Sequence, residues 1–170
     1  MRAMSFVICT AGLLGLVSSA ANAADNPFRP AFCGQCTDGA WIYWCQRLGH
    51  AKTPSVRHAK YWWDGAATGG YERSSAPGTV PCILVIDGWS ANQFGHVAVV
   101  TYATKDWSPG WYLLWTQQFN YSPSTAGNCN AKFQGFWVAY HPSSRSCWYW
   151  QGQSWSRTSF PVRGFVWGGP

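Results

Sequence analysis

Two segments of this chain hold residues that together could cut an amide bond. The first is Phe32-Cys33-Gly34-Gln35-Cys36-Thr37-Asp38-Gly39-Ala40-Trp41, with Cys36 at an expected helix start. The second is Phe94-Gly95-His96-Val97-Ala98-Val99-Val100, with His96 in an expected strand. A thiol at the first turn of a helix meets unpaired backbone N–H groups and the positive end of the helix dipole. Both favour thiolate over thiol. An imidazole on a strand packed against that helix start can take or share the proton. A Cys–His pair of this kind attacks a carbonyl carbon and forms an acyl-enzyme. The backbone N–H of Cys36, with the Gln35 side chain, can donate to the developing oxyanion. The imidazole also needs an orienting partner on its other nitrogen. Thr116-Gln117-Gln118-Phe119-Asn120 supplies candidates. Gln118 and Asn120 share one face by the two-residue period of a strand, and Gln117 points the other way.

Taken singly, these residues have plainer readings. Cys36 can be half of a structural disulfide, and His96 a satisfied core imidazole. Gln118 and Asn120 can simply be a hydrogen-bonded strand end. His50, His58 and His141 lie beside helix ends or turns and are given no role.

The elements that must position the pair follow from periodicity. Trp41, Trp44, Cys45 and Leu48 have helical spacing, so a helix is expected from Cys36 to Leu48, stopped at Gly49. A second is expected from Ser55 to Asp64, with Thr53 or Ser55 capping it, Pro54 near the first turn and Gly65 at its end. After Gly69-Gly70 the pattern turns to strands: Cys82–Ile86, Gly95–Tyr102, Trp111–Phe119, Lys132–Tyr140 and Trp148–Trp150, with Val162–Trp167 placed to close the sheet. Two helices followed by an antiparallel meander is the α+β class.

The chain opens with Met1-Arg2, an apolar run from Phe6 to Val17, and Ala21-Asn22-Ala23. That is the order of a cleaved secretion signal over residues 1–23, with a mature start at Ala24. The apolar run falls short of the roughly 20 residues a membrane span needs. Residues 24–170 suit one domain, secreted or periplasmic and with no membrane association after cleavage.

Twelve Lys and Arg stand against six Asp and Glu, a formal charge of +6. The excess suits anionic surroundings, but the basic residues are scattered, so no nucleic-acid partner is supported. Glu72 is the only glutamate, and no motif pairs it with an aspartate for glycoside hydrolysis. Thirteen Trp exceed what a core this small needs. They read as core and rim packing, or as a stacking surface for sugars or a groove for an extended substrate.

Outside the leader, six cysteines remain: Cys33, Cys36, Cys45, Cys82, Cys129 and Cys147. In an exported chain they would ordinarily form disulfides. A nucleophilic Cys36 has to stay free. Cys129 and Cys147 flank an expected hairpin turning at His141-Pro142-Ser143-Ser144, and are the expected bridge. Cys36 and Cys45 on one helix would stand about 13.5 Å apart, too far for a bridge. Cys82 reads as a buried small hydrophobe. Cys33-x-x-Cys36 also has redox or zinc spacing, but no second Cys-x-x-Cys and no His pair accompany it. No metal and no cofactor is implied.

Gly34-Gln35-Cys36-Thr37, the aromatic helix after it, Gly95-His96-Val97-Ala98-Val99-Val100 and Gln118-Phe119-Asn120 together resemble the CHAP family, the cysteine, histidine-dependent amidohydrolases/peptidases. Pro77-Gly78-Thr79-Val80 leading into Cys82–Ile86, and Gly88-Trp89 before the His strand, resemble that family's layout. The resemblance runs from about Phe32 to Asn120. It implies a papain-like fold, with N-terminal helices carrying the Cys packed on an antiparallel β-sheet carrying the His. It implies hydrolysis of peptidoglycan amide bonds, between muramic acid and L-alanine or within the stem peptide or cross-bridge. Some similar domains act on small amides. By the match, Cys36 is the nucleophile, His96 the general base, and Gln118 and Asn120 the orienting groups. The family usually has Glu where this chain has Gln118; a neutral amide orients the ring but stabilises imidazolium less.

Two functional classes follow. One is an exported cysteine amidase or endopeptidase acting on peptidoglycan as a monomer, with an inhibitor or immunity protein as a further partner. The other is an inactive, disulfide-stapled, Trp-rich module binding wall or glycan, in which Cys36 is oxidised.

Overall fold

The computed structural model describes residues 26–105, 107–119 and 128–169. The expected leader, the expected mature start and Asn120 lie outside the described residues. The chain forms β1 (Glu72–Ser74), β2 (Cys82–Ile86), β3 (His96–Lys105), β4 (Tyr112–Gln118), β5 (Gln134–His141), β6 (Ser146–Tyr149) and β7 (Phe160–Trp167). The order is β1-β7-β2-β3-β4-β5-β6, all antiparallel, and β6 pairs again with β7 through Ser146↔Pro161 and Cys147↔Phe160. Strands β2 to β7 therefore close a six-stranded barrel, and β1 adds outside it along β7.

This closure corrects the expected papain-like α+β arrangement. The helical part is small: α1 (Cys36–Trp41), a π-helical turn over Ile42–Arg47, a 3₁₀ turn over Ala59–Tyr61, and α2 (Trp62–Gly69). The continuous helix expected to Leu48 changes winding at Ile42. The run Trp41-Ile42-Tyr43-Trp44 is made of aromatic and β-branched residues, which lose rotamer freedom in an α-helix. The second helix starts later than expected, at Trp62, and ends on Gly70 in the left-handed conformation (φ 79°). The six expected strands form with small shifts of their ends; β1 had no alternation to announce it. Burying both sides of β2 requires a filled barrel on one side and helices on the other.

That double burial is visible residue by residue. Inside the barrel lie Cys82, Leu84 and Ile86 of β2, Val100 of β3, Leu114, Val138, Tyr140 and Phe165. On the outer side, Ile83, Val85, Val97, Val99 and Val166 pack against Trp41, Trp44, Trp62 and Ala66 of the helical segments. Every residue of β2 is buried, which is why it reads as a continuous apolar run instead of alternating. No helix among the described residues is long and apolar enough to cross a membrane.

The expected Cys129–Cys147 bridge does not form. Cys33 bonds Cys129, with Cα atoms 4.5 Å apart. Cys147 is a free thiol pointing into the barrel core, where the alternation of β6 places it, so it cannot meet a loop cysteine outside. Cys36, Cys45 and Cys82 are also free and buried. The bridge closes a loop with a sequence separation of 96 and ties the segment before α1 to the end of the β4–β5 connection. Replacing both cysteines by serine should lower unfolding stability by about 4 kcal/mol in a urea titration. Non-reducing peptide mapping should yield a Cys33–Cys129 pair. An unchanged urea midpoint, or a Cys129–Cys147 peptide, would contradict the assignment.

Candidate active site

Cys36 is the first residue of α1, and Gln35 before it is extended (φ −82°, ψ 163°). The segment leading into the helix is held by Asp38, a fully buried side chain. Its carboxylate accepts from Asn26 Nδ2 at 2.8 Å, Gly34 N–H at 2.9 Å and Arg29 Nε at 2.9 Å. Arg29 Nη2 donates to the second oxygen at 3.3 Å and to the Cys129 carbonyl at 3.2 Å. A buried carboxylate survives only when paired and hydrogen-bonded, and this one is both. The ion pair and the disulfide thus clamp one loop, and Cys36 sits between that loop and its helix.

His96 opens β3, directly after Gly95. Gly95 has φ +76°, and a Cβ there would stand 2.6 Å from the Ile86 carbonyl oxygen. The position is closed to any side chain by conformation and by space together. Asn92 Nδ2 donates to the Gly95 carbonyl at 3.1 Å, and Lys60 N–H donates to the Phe94 carbonyl at 3.1 Å. The start of β3 is therefore fixed from both sides.

The Cys36 thiol and the His96 imidazole lie close enough to act on each other through charge and hydrogen bonding. The ring's Nε2 lies 2.5 Å from Gln118 Oε1. An amide oxygen only accepts, so Nε2 carries a proton and Nδ1 is the nitrogen left for the sulfur. Tyr149 donates its hydroxyl to the same Oε1 at 3.3 Å. Gln118 Nε2, also buried, has no partner among the described residues. Gln118 sits where strand alternation placed it, on the inward face with Leu114 and Thr116. Asn120, expected beside it, lies outside the described residues. Sequence reading missed Asp38, whose position in the first helical turn was its one signal, and Tyr149, which had none.

Two opposing effects set the charge state. Burial alone would push the Cys36 thiol up. The charge and hydrogen bond of His96, together with the backbone N–H groups of Val97 and Thr37, outweigh it and lower the thiol below its ordinary 9.0. Burial alone would lower His96; the charge and hydrogen bond of Cys36 and the hydrogen bond to Gln118 raise it above its ordinary 6.5. Both shifts favour thiolate paired with imidazolium. The other three thiols have no such partner. Burial pushes Cys45 up to about 11 and Cys82 up to about 12, and raises Cys147 as well. Cys36 is thus the one thiol of the described residues poised as a nucleophile.

The pair lines a cleft of about 630 Å³ together with Phe28, Phe32, Val56, Tyr61 and Phe94. Gln35, expected at the oxyanion, lines the same cleft. Among the described residues no acidic side chain does. A family model for the CHAP domain matches residues 26–118, a span that holds Cys36, His96 and Gln118. The chain belongs to the CHAP family.

A comparison with curated proteins returns no match. CHAP domains are associated with peptidoglycan amidase and peptidase activity. The CHAP match begins at the Asp38 partner Asn26 and ends at Gln118, so it covers the Asp38 hydrogen bonds, the cleft and the Cys–His pair, but not Cys129 or β5 to β7. The inactive-module reading required an oxidised Cys36; Cys36 is a free thiol. No group of three or more His, Cys, Asp or Glu among the described residues could hold a metal ion.

Thiol labelling tests the charge state. Native Cys36 should react with iodoacetamide well below pH 9, and lose that rate as acid protonates the pair. Cys45, Cys82 and Cys147 should stay unmodified until the protein unfolds. His96→Ala should slow Cys36 labelling at pH 7 by about tenfold or more. Equal labelling rates at Cys36 and in an unfolded peptide would contradict the pairing.

Proposed function

We propose that this CHAP protein is an exported cysteine amidase or endopeptidase that hydrolyses peptidoglycan amide bonds. The observation that carries the reading is a single thiol, lowered in pKa, held against an imidazole in the lining of an open cleft. In this reading the Cys36 thiolate attacks the scissile carbonyl carbon. The Cys36 backbone N–H and the Gln35 side chain donate to the oxyanion that forms. His96 gives the proton on the nitrogen facing the sulfur to the departing amine, and the C–N bond breaks. A water then attacks the thioester carbonyl, His96 takes its proton, and the acid product leaves with the thiol restored. Gln118 keeps the proton on Nε2 throughout, so the nitrogen facing the sulfur is the one that exchanges. Asn120 remains the alternative orienting group that the sequence offers. The leader expected over residues 1–23 and the disulfide support a secreted or periplasmic place of action.

Muropeptide mass spectrometry of sacculi incubated with the mature protein tests this directly. New fragments should appear, their masses naming the scissile bond, and Cys36→Ala should abolish them while near-ultraviolet circular dichroism is unchanged. Fragments that persist in Cys36→Ala would overturn the mechanism. The neutral Gln118 makes a second expectation. Gln118→Ala should lower kcat on the order of 10–100-fold by freeing the ring. Gln118→Glu places a carboxylate on the imidazolium, raises its pKa, and should move the alkaline limb of the rate profile to higher pH. An unmoved alkaline limb would mean that Gln118 does not touch the working imidazole.

A further inference from the structure

The helical segments cover one side of the barrel, over β2, β3 and β7. Further along, the outward face is different. Antiparallel strands that meet water usually present polar side chains. Here one outward row across three strands is aromatic: Tyr102 of β3 pairs with Trp115 of β4, which pairs with Trp137 of β5. Tyr102 is 50 % exposed and Trp137 37 %. The ring centroids are 5.0 Å apart for Trp115–Trp137 and 6.2 Å for Tyr102–Trp137.

Trp115 and Trp137 of this row line a second groove, of about 610 Å³, together with Trp150, Gln151 and Gly152, and the Tyr102 ring stands against Trp137 beside it. It is built, not incidental. A Cβ on Gly135 would stand 2.3 Å from Trp115 Cζ2, so the bare backbone of β5 is the bed on which the indole lies. Gly152, also in the lining, has open space around it. Among the described residues no charged side chain lines the groove, in a chain whose net charge is +6.

We propose that this groove binds the neutral sugar strand of peptidoglycan, at a site separate from the cleft at Cys36. The choice of sugar rests on the wall-hydrolase reading above. A pyranose ring is amphipathic: its faces are C–H and its edges are hydroxyl and amide. Indole faces take the C–H faces, while an indole N–H and the Gln151 amide can meet the edges. An anionic peptide or phosphate would call for cations, and the described residues that line the groove include none. Exposed aromatic patches of this kind mark binding surfaces. Holding a glycan strand here would raise the local concentration of its stem peptides at the cleft without any new contact at the sulfur.

Tryptophan fluorescence titration with chitotetraose, the N-acetylglucosamine oligomer, tests the site in the mature protein. Wild type and Cys36→Ala should bind equally. Trp137→Ala and Tyr102→Ala, both at exposed rings, should each weaken binding about tenfold. Gly135→Ala, which lifts the Trp115 indole, should do the same. These variants should still cleave a soluble stem peptide, which shows that they fold. No binding by wild type, unchanged binding in both ring variants, or binding lost in Phe94→Ala at the catalytic cleft would each overturn the proposal. Chitotetraose binding without Cys36-dependent fragments would leave the groove standing and remove the hydrolase reading. Fragments without binding would do the reverse.

Discussion

The pairing of β2 with β3 is the constraint on which the rest of the molecule depends. Cys82↔Val100 through Ile86↔His96 is a ladder whose every residue is buried on one face or the other. A ladder without a wet face needs apolar partners on both sides. The strands supply one by closing a barrel over Leu84, Ile86 and Val100. The helical segments supply the other by laying Trp41, Trp44 and Trp62 over Ile83, Val97 and Val99. Placing α1 on β3 is thus a matter of burial before it is one of chemistry. Because the ladder ends at His96, the start of α1 falls beside the imidazole.

The site itself runs against burial. Water is nearly absent from Cys36 and His96, which are 8 % and 7 % exposed, and desolvation opposes both charges. The pair is favoured because each charge answers the other and because backbone N–H groups of Thr37 and Val97 point at the sulfur. Such a balance tolerates little displacement. That explains the second, larger investment in the segment before α1, where Asp38 gathers Asn26, Arg29 and Gly34 and a disulfide adds a covalent tie. None of these groups touches the sulfur. They hold the loop from which the cysteine projects.

Much of the site was legible in the sequence because it is written locally. A cysteine at a helix start, a glycine-histidine opening a strand and the inward position of Gln118 each follow from short-range rules. The barrel was not legible, because closure depends on β6 meeting β7, a contact that periodicity along the chain does not encode. The same limit explains the disulfide. Cys129 and Cys147 are near in sequence, but β6 turns Cys147 into the core, whereas Cys33 reaches Cys129 only once the loop before α1 has folded. Asp38 was hidden for a related reason: a carboxylate in a first helical turn ordinarily answers the helix dipole, and here it answers an arginine brought back by the loop.

Closure also decides what the outer surface can become. Apart from the three-residue β1, the closed strands leave no free edge to protect, so their outward residues are released from guarding against strand addition. One side is spent on the helices. The other is free to carry large rings, provided that the backbone beneath leaves room. Gly135 provides that room at the cost of a weaker strand position. A glycine that weakens a strand but lets an indole lie flat is hard to account for by stability alone. The ring it accommodates faces solvent and a groove, whereas the core rings, such as Trp44 and Trp62, are fully covered. Trp44 and Trp62 on the one hand and Trp115 and Trp137 on the other thus answer different physical demands, the first pair filling the helix–sheet interface and the second shaping an exterior surface.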